Sequence, residues 1–148
     1  MNEQTINKAG EIIDAKTNYV GGGMEGYAVL SLIDENGYPS ASALTIAKAD
    51  GIKWLTFASS PNSNKAKRIA KCKKASVCIA SPEYNITLVG TAEEVTDPEC
   101  RKASWCDVMN DNAHWSDHND PNFYVICFTT ERYSIYLADG DHAAEGTV

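Results

Sequence analysis

Long apolar runs are missing from this chain. The longest cover a few residues, far below the ~20 that a membrane-spanning helix needs, so no membrane segment is expected. The N-terminal stretch MNEQTINKAGEIID is polar and lacks the apolar core of a secretory signal, so a cytoplasmic location is expected. The cysteines, Cys72, Cys78, Cys100, Cys106 and Cys127, are odd in number and form no C-x-x-C pair. In a reducing compartment they read as free thiols, mostly small core residues. Basic residues are scarce too: 13 Lys and Arg face 20 Asp and Glu, for a formal net charge of −7. Such a field repels phosphate backbones and argues against general nucleic-acid binding. There is no G-x-G-x-x-G and no Walker-type loop, since Val20-Gly21-Gly22-Gly23 lacks the following lysine. There is no G-x-S-x-G elbow for a hydrolase serine either.

What is present describes an ordinary folded chain. It has 148 residues, 43% hydrophobic and 22% charged, which suits one domain over residues 1–148 with one sizeable core. Residues 3–16 place Ile6, Ala9, Ile12 and Ile13 at helical spacing, and Gly21–Gly23 breaks that helix. The segments YAVLSLID, SASALTIAK and IKWLTFAS then read as three strands. They are joined at Asn36-Gly37 and Asp50-Gly51, dipeptides whose residues tolerate positive φ in tight hairpins. ASVCIA, YNITLVGTAEEV, Phe123–Thr130 and Tyr133–Leu137 continue the pattern, with Gly90 marking a bulge. Asp97-Pro98 opens a helix expected over about 99–110, residues 111–122 read as irregular, and the tail from Asp139 reads as polar and frayed. Six or so strands with two or three peripheral helices predict a mainly β fold, a small antiparallel barrel with its core over about residues 27–137.

Charge is concentrated in one place. SSPNSNKAKRIAKCKK, Ser59 to Lys74, holds Lys65, Lys67, Arg68, Lys71, Lys73 and Lys74, six of the 13 basic residues. Asn62 or Ser63 can cap a helix whose apolar face is Ala66, Ile69 and Ala70. A helix start offers unpaired N–H groups and a positive dipole end. With the hydroxyl and amide groups of Ser59, Ser60, Asn62, Ser63 and Asn64, and with Lys65, it has the parts of an anion site. The bland alternative is a capped helix with a solvated basic face. His114 and His118 lie four apart among Asp111, Asp117 and Asp120, with Cys106 upstream. That spacing suits a zinc ion on a helix, but the Asp/Asn/Ser/Pro-rich surroundings read as loop, so no metal is expected. Trp54, Trp105 and Trp115 read as core or interface residues.

The order of these motifs resembles the pyridoxamine-phosphate-oxidase-like family of split-barrel flavoproteins, especially its short general-stress-protein branch. The resemblance rests on VLSLIDENGYPSASAL, then WLTFASSPNSNKAKRIAKCKKASVCI, then YNITLVGTAEEVTDPE, then DPNFYVICFTTERYSIYL, with Tyr136 where a tryptophan is common. It implies a six-stranded antiparallel split barrel, dimeric, with FMN at the subunit interface. Ser42, Ala43, Leu44 and Thr45 would lie beside the flavin and Phe57, Ala58, Ser59 and Ser60 below it. Ser63, Asn64 and Lys65 would hold its phosphate, and Asn85 the ring edge. Two positions depart from the pattern of true pyridoxamine phosphate oxidases: Ser42 stands where an arginine binds the flavin phosphate, and Asn64 where the residue is also basic. The tail DGDHAAEGTV lacks the arginine of their substrate-binding segment, so vitamin-B6 synthesis is not expected.

The expected function is an FMN-dependent oxidoreductase or flavin reductase, with NAD(P)H or another small reductant as donor and the chemistry carried by the cofactor. No side chain stands out as a catalytic acid or base. Two other readings stay open: a flavin-binding or sensing module without turnover, and a split barrel holding haem or a deazaflavin. A homodimer is expected because a flat three-ring ligand needs more concave surface than one small barrel offers. Trp105 and Trp115 are too far apart in sequence to form one local cluster, and Trp115 is expected to reach over the partner's flavin.

Overall fold

The computed structural model describes residues 2–19, 24–110 and 114–148. The glycine break at 21–23 and Asp111 lie outside them. In chain order the elements are α1 (Asn2–Lys16), β1 (Tyr27–Ile33), β2 (Pro39–Asp50), β3 (Trp54–Ser59) and α2 (Asn64–Lys71). There follow β4 (Lys74–Ser81), β5 (Tyr84–Glu94), α3 (Pro98–Ala103), a 3-10 turn at Asp107–Met109, β6 (Tyr124–Leu137) and β7 (His142–Thr147).

All pairings are antiparallel. The strand order is β3-β2-β1-β4-β5-β6-β7, and a further β3–β6 ladder closes the first six strands into a barrel. The expected six-stranded split barrel is therefore present, with one strand added. β6 makes this possible by its length. Along one edge Ile126–Leu137 pair with β5, apart from the extra residue Glu131. Along the other, Tyr124–Thr129 pair with β3 and Arg132–Leu137 with β7. The barrel interior is filled by alternate residues of each strand, Leu30 and Leu32, Leu55 and Phe57, Val77 and Ile79, Ile86 and Leu88, Ile126 and Phe128. Ile13 of α1 and Ile69 of α2 add to the same core.

Four expectations change. The tail is not frayed: His142–Thr147 form β7, held by the β6 ladder and by burial of Ala144. The last two predicted strands are one, because Glu131 is accommodated as the extra residue of a bulge opposite Val89 and Gly90. α3 stops at Ala103, after an Asp97 cap whose carboxylate accepts from Cys100 N at 3.1 Å. The Asn36-Gly37 turn uses positive φ at Gly37 alone, at 84°. Asp34 instead closes it, its carboxylate accepting from the backbone N–H groups of Asn36 and Tyr38, both at 2.9 Å.

Two glycines are required by close approach. Gly10 of α1 lies on the β2–β3 turn, where a Cβ would come within 3.1 Å of the Gly51 Cα. Gly90 sits in the β5–β6 bulge, where a Cβ would fall 1.9 Å from the Thr129 carbonyl oxygen. That oxygen belongs to strand backbone and cannot rotate away. Gly90→Ala is expected to lower stability by more than about 2 kcal/mol, read as a shift in urea midpoint. Gly37→Ala, strained only by its left-handed φ, should cost about 1 kcal/mol. Equal midpoints for Gly90→Ala and wild type would show that the bulge does not form.

Candidate functional site

The site begins where β3 parts from β2. Their ladder runs from Asp50↔Trp54 to Ile46↔Phe57. Beyond it β3 stays with β6 as far as Ser59↔Tyr124, while Pro39–Thr45 of β2 pair with β1 alone. β2 thus carries an open edge over the residues expected to lie beside the flavin. Ala43 is opposite exposed Val29 and points outward, whereas Ser42 and Leu44 are opposite buried Leu30 and Ala28. On the other side of the split are Phe57, Ala58, Ser59 and Ser60. Phe57 is fully buried, so its ring is core and only its backbone is available to a ligand. Asn85 is exposed on β5, opposite Ala80 and Tyr136. β1 and β4 separate it from β2, so one chain does not bring it beside the Ser63–Lys65 turn.

From Ser60 the chain turns into α2. Ser63 is the cap: its hydroxyl oxygen accepts from Ala66 N at 3.2 Å and lies 3.1 Å from the Ser59 hydroxyl. Among the described residues the backbone N–H groups of Asn64 and Lys65 have no partner. These are the orphan donors that a helix start leaves for an anion. The basic run divides into two kinds of charge. Arg68 bonds Ser40 Oγ at 3.2 Å and Glu35 Oε2 at 3.5 Å, tying α2 to the β1–β2 hairpin. Lys73 pairs with Glu93 at 2.9 Å. Such pairs contribute about 0–1 kcal/mol, so burial of Ile69, about 1.5–3 kcal/mol, does more to dock the helix. Lys65 makes no ion pair among the described residues. The pairing of Arg68 with Ser40 was not legible in sequence, because the contact spans 28 positions.

The family model for pyridoxamine 5′-phosphate oxidase matches residues 24–136. The chain belongs to the pyridoxamine 5′-phosphate oxidase family. Solved structures agree on the fold. A Clostridium acetobutylicum protein related to general stress protein 26 of B. subtilis superposes with a TM-score of 0.80 at 20% identity, covering 100% of this chain and 97% of that one. A pyridoxamine 5′-phosphate oxidase-related, FMN-binding protein from Nostoc punctiforme gives 0.67 at 15% identity, covering 99% and 94%. A haem-binding protein from Mycobacterium smegmatis gives 0.68 at 21% identity, covering 94% of this chain and 56% of that one. No curated protein matches the sequence significantly.

In this member of the pyridoxamine 5′-phosphate oxidase family, Cys106 and Met109 after α3 and Phe123 before β6 pack on the outer face of the barrel. Ala47, Cys106, Met109, Phe123 and Val125 form a second apolar cluster there. Trp105 and Trp115, too far apart in sequence to form one local cluster, both meet Phe123, at centroid distances of 5.1 and 5.3 Å. Trp115 also donates its indole N–H to its own chain's Asn122 carbonyl at 2.7 Å. His114 stands beside Trp115, 5.8 Å between ring centroids, and His118 is half-buried. Among the described residues no three His, Cys, Asp or Glu side chains gather as a metal site. No described helix is long and apolar enough to cross a membrane.

Two residues that sequence reasoning did not single out for this role organise the loop. Arg101 donates to the carbonyls of His118 and Asp120 at 3.3 and 3.0 Å. Asp120 accepts from the backbone N–H groups of Asn122 and Ser116, each at 2.9 Å. These N–H groups, with Arg101 nearby, hold the Asp120 carboxyl below its usual range. A depressed folded-state value means that its contribution is present above the ordinary carboxylate range and is lost as pH falls through the lower, folded value. Trp115 emission should therefore stay native-like through the ordinary carboxylate range and change only below it. Asp120→Ala should show the altered emission already at neutral pH. A wild-type transition centred within the ordinary carboxylate range would contradict this.

Proposed function

We propose that the chain is an FMN-binding flavoprotein of oxidoreductase type, acting as a homodimer, with the phosphate held at the start of α2. One observation carries the reading: the open edge of β2 at Ser42–Thr45 lies across the split from an anion-ready helix start. Ser63, the free N–H groups of Asn64 and Lys65, and the unpaired Lys65 ammonium are suited to the phosphate. The backbone of Ser42–Thr45 offers unpaired groups to the edge of a ring system, and Ala58 and Ser59 close the other wall. With Ser42 and Asn64 neutral, phosphate binding rests on Lys65 and main-chain donors. Bound FMN would supply hydride or electron transfer. The chain's residues bind, orient and exclude water. NAD(P)H or another small reductant is the expected donor.

The dimer rests on the outward face of the sheet. Val29 lies opposite Ala43 and Cys78, Cys78 opposite Thr87, and Ser31 opposite Ala41 and Ser76. This patch is uncharged although 22% of the chain is charged, and charge-poor faces mark interface cores. In such a dimer Asn85, which one chain alone does not bring beside the Ser63–Lys65 turn, and Trp115 would reach the partner's groove. General stress protein relatives favour a stress-related role, with sensing rather than turnover as the alternative. The Mycobacterium smegmatis neighbour favours haem as a second cofactor reading. The proposed site residues include no histidine, cysteine, methionine or tyrosine to act as the axial ligand, which favours flavin.

The absorption spectrum of the purified protein separates flavin from haem. FMN should bind more tightly than riboflavin by calorimetry. Lys65→Ala should weaken FMN by about 10- to 100-fold, the value of one charge-assisted contact, and leave riboflavin unchanged. Lys73→Ala, whose partner is Glu93, should change little. In the same titration Val29→Arg should lower flavin retention as it splits the dimer in sedimentation. Equal FMN and riboflavin affinities would remove the phosphate site, and a monomer fully loaded with FMN would remove the shared one.

A further inference from the structure

A groove of about 580 Å³ runs between α2, the last residues of β5 and the first of β6. One wall is an apolar stripe of the helix, Ala66, Ile69 and Ala70, with Pro61 at its end. Tyr124 lies at the bottom. It belongs to the inward row of β6 with Ile126 and Phe128, packs in the barrel core, and is only 6% exposed. Its hydroxyl has no hydrogen-bond partner among the described residues. Among those residues the fully buried side-chain polar atom without a partner is Nδ1 of His118. The small surface that Tyr124 keeps therefore includes its Oη, and it opens on this groove. Burial, and then the Glu94 carboxylate, raise the hydroxyl above its ordinary range, so it stays a neutral O–H. The rim charges cancel: Lys73 pairs with Glu93 at 2.9 Å, and Lys67 and Glu94 leave one of each sign.

We propose that this groove binds a small neutral aromatic molecule carrying a carbonyl oxygen, the ring on the Ala66–Ala70 stripe and the oxygen accepting from the Tyr124 hydroxyl. An almost wholly buried hydroxyl without a partner is costly. A ligand oxygen supplies the missing acceptor while the apolar body covers the stripe. Glu94 sets the direction of the bond: the hydroxyl stays protonated and donates, and a ligand anion at that point would meet the carboxylate's charge. With the rim balanced, no net charge is left to select an ionic ligand. Ala66 and Ala70, one turn apart, leave a shallow flat wall that suits a ring. Grooves of this volume take drug-sized or smaller molecules. The proposal does not rest on the flavin reading: it uses none of Ser42–Thr45, Ser59, Ser60 or Ser63–Lys65.

The test uses the full chain, with and without added FMN, and three probes of one shape: 2-acetylnaphthalene, 2-ethylnaphthalene and naphthalene-2-carboxylate. Probe fluorescence follows binding, and methyl NMR locates it. Saturable binding of one ketone per chain is expected, with shifts at the Ala66, Ile69 and Ala70 methyls. The carboxylate should bind about tenfold more weakly, because it must approach Glu94. Tyr124→Phe removes the hydroxyl and keeps the core ring. It should weaken the ketone by about three- to tenfold, the range of one neutral hydrogen bond, and leave the ethyl compound unchanged. Ala70→Trp, at an exposed helix position, fills the groove and should abolish both. The wild-type shifts and the ketone–carboxylate comparison stand even if a variant folds poorly. No saturable ketone binding, shifts confined to residues outside the groove, a carboxylate as tight as the ketone, or an equal response of ketone and ethyl compound to Tyr124→Phe would overturn the proposal. Displacement of the ketone by FMN would overturn it too, by placing the probe in the flavin groove.

Discussion

A strand has two edges, and β3 spends one of them on β6. That ladder, Trp54–Ser59 against Tyr124–Thr129, closes the barrel and draws β3 away from β2 after Phe57. Much else follows from this closure. The core is sealed around Leu55, Phe57, Ile126 and Phe128. β2 is left with an unpaired stretch at Pro39–Thr45. The chain leaving β3 must turn beside that stretch, which sets the α2 start across from it. The same closure exposes the outer faces of β3 and β6, on which the second apolar cluster and α3 are built.

The positive charge at residues 65–74 takes its meaning from this geometry. Arg68 and Lys73 are engaged with acidic partners and fasten α2 to its surroundings. Lys65, in the first turn, is not. A cation there opposes the helix dipole, and a bound anion would reverse the sign of that interaction. In sequence the six charges look alike; in the fold Arg68 and Lys73 are fasteners, Lys65, Lys67, Lys71 and Lys74 make no ion pair among the described residues, and of these Lys65 alone stands in the first helical turn beside the cap.

Much of the fold was legible because its signals are local. Alternation gave the strands, Gly51 its positive-φ turn, Gly90 its bulge, Ser63 and Asp97 their caps. The misses are long-range. HAAEGT has one buried residue and no apolar alternation to announce β7, which exists because β6 is long enough to offer it an edge. Glu131-Arg132 looked like a break, yet the bulge opposite Gly90 carries the extra residue through. Trp105 and Trp115 converge only because Phe123, farther along the chain, stands between them. The Arg68–Ser40 and Arg101–Asp120 contacts are equally non-local. At the candidate site the anion-ready helix start was readable from its residue types. The open edge of β2 was not, because it depends on where another strand goes.

The central claim is that a phosphate sits on the α2 start while a ring system lies along the open edge of β2. Amide hydrogen exchange resolved by residue, with and without FMN, tests it most directly. The account predicts slowed exchange at Asn64 and Lys65 and along Ser42–Thr45, with the buried core residues Ile126 and Phe128 of β6 unchanged. Protection that appears elsewhere and leaves Asn64 and Lys65 exchanging at their ligand-free rate would contradict it.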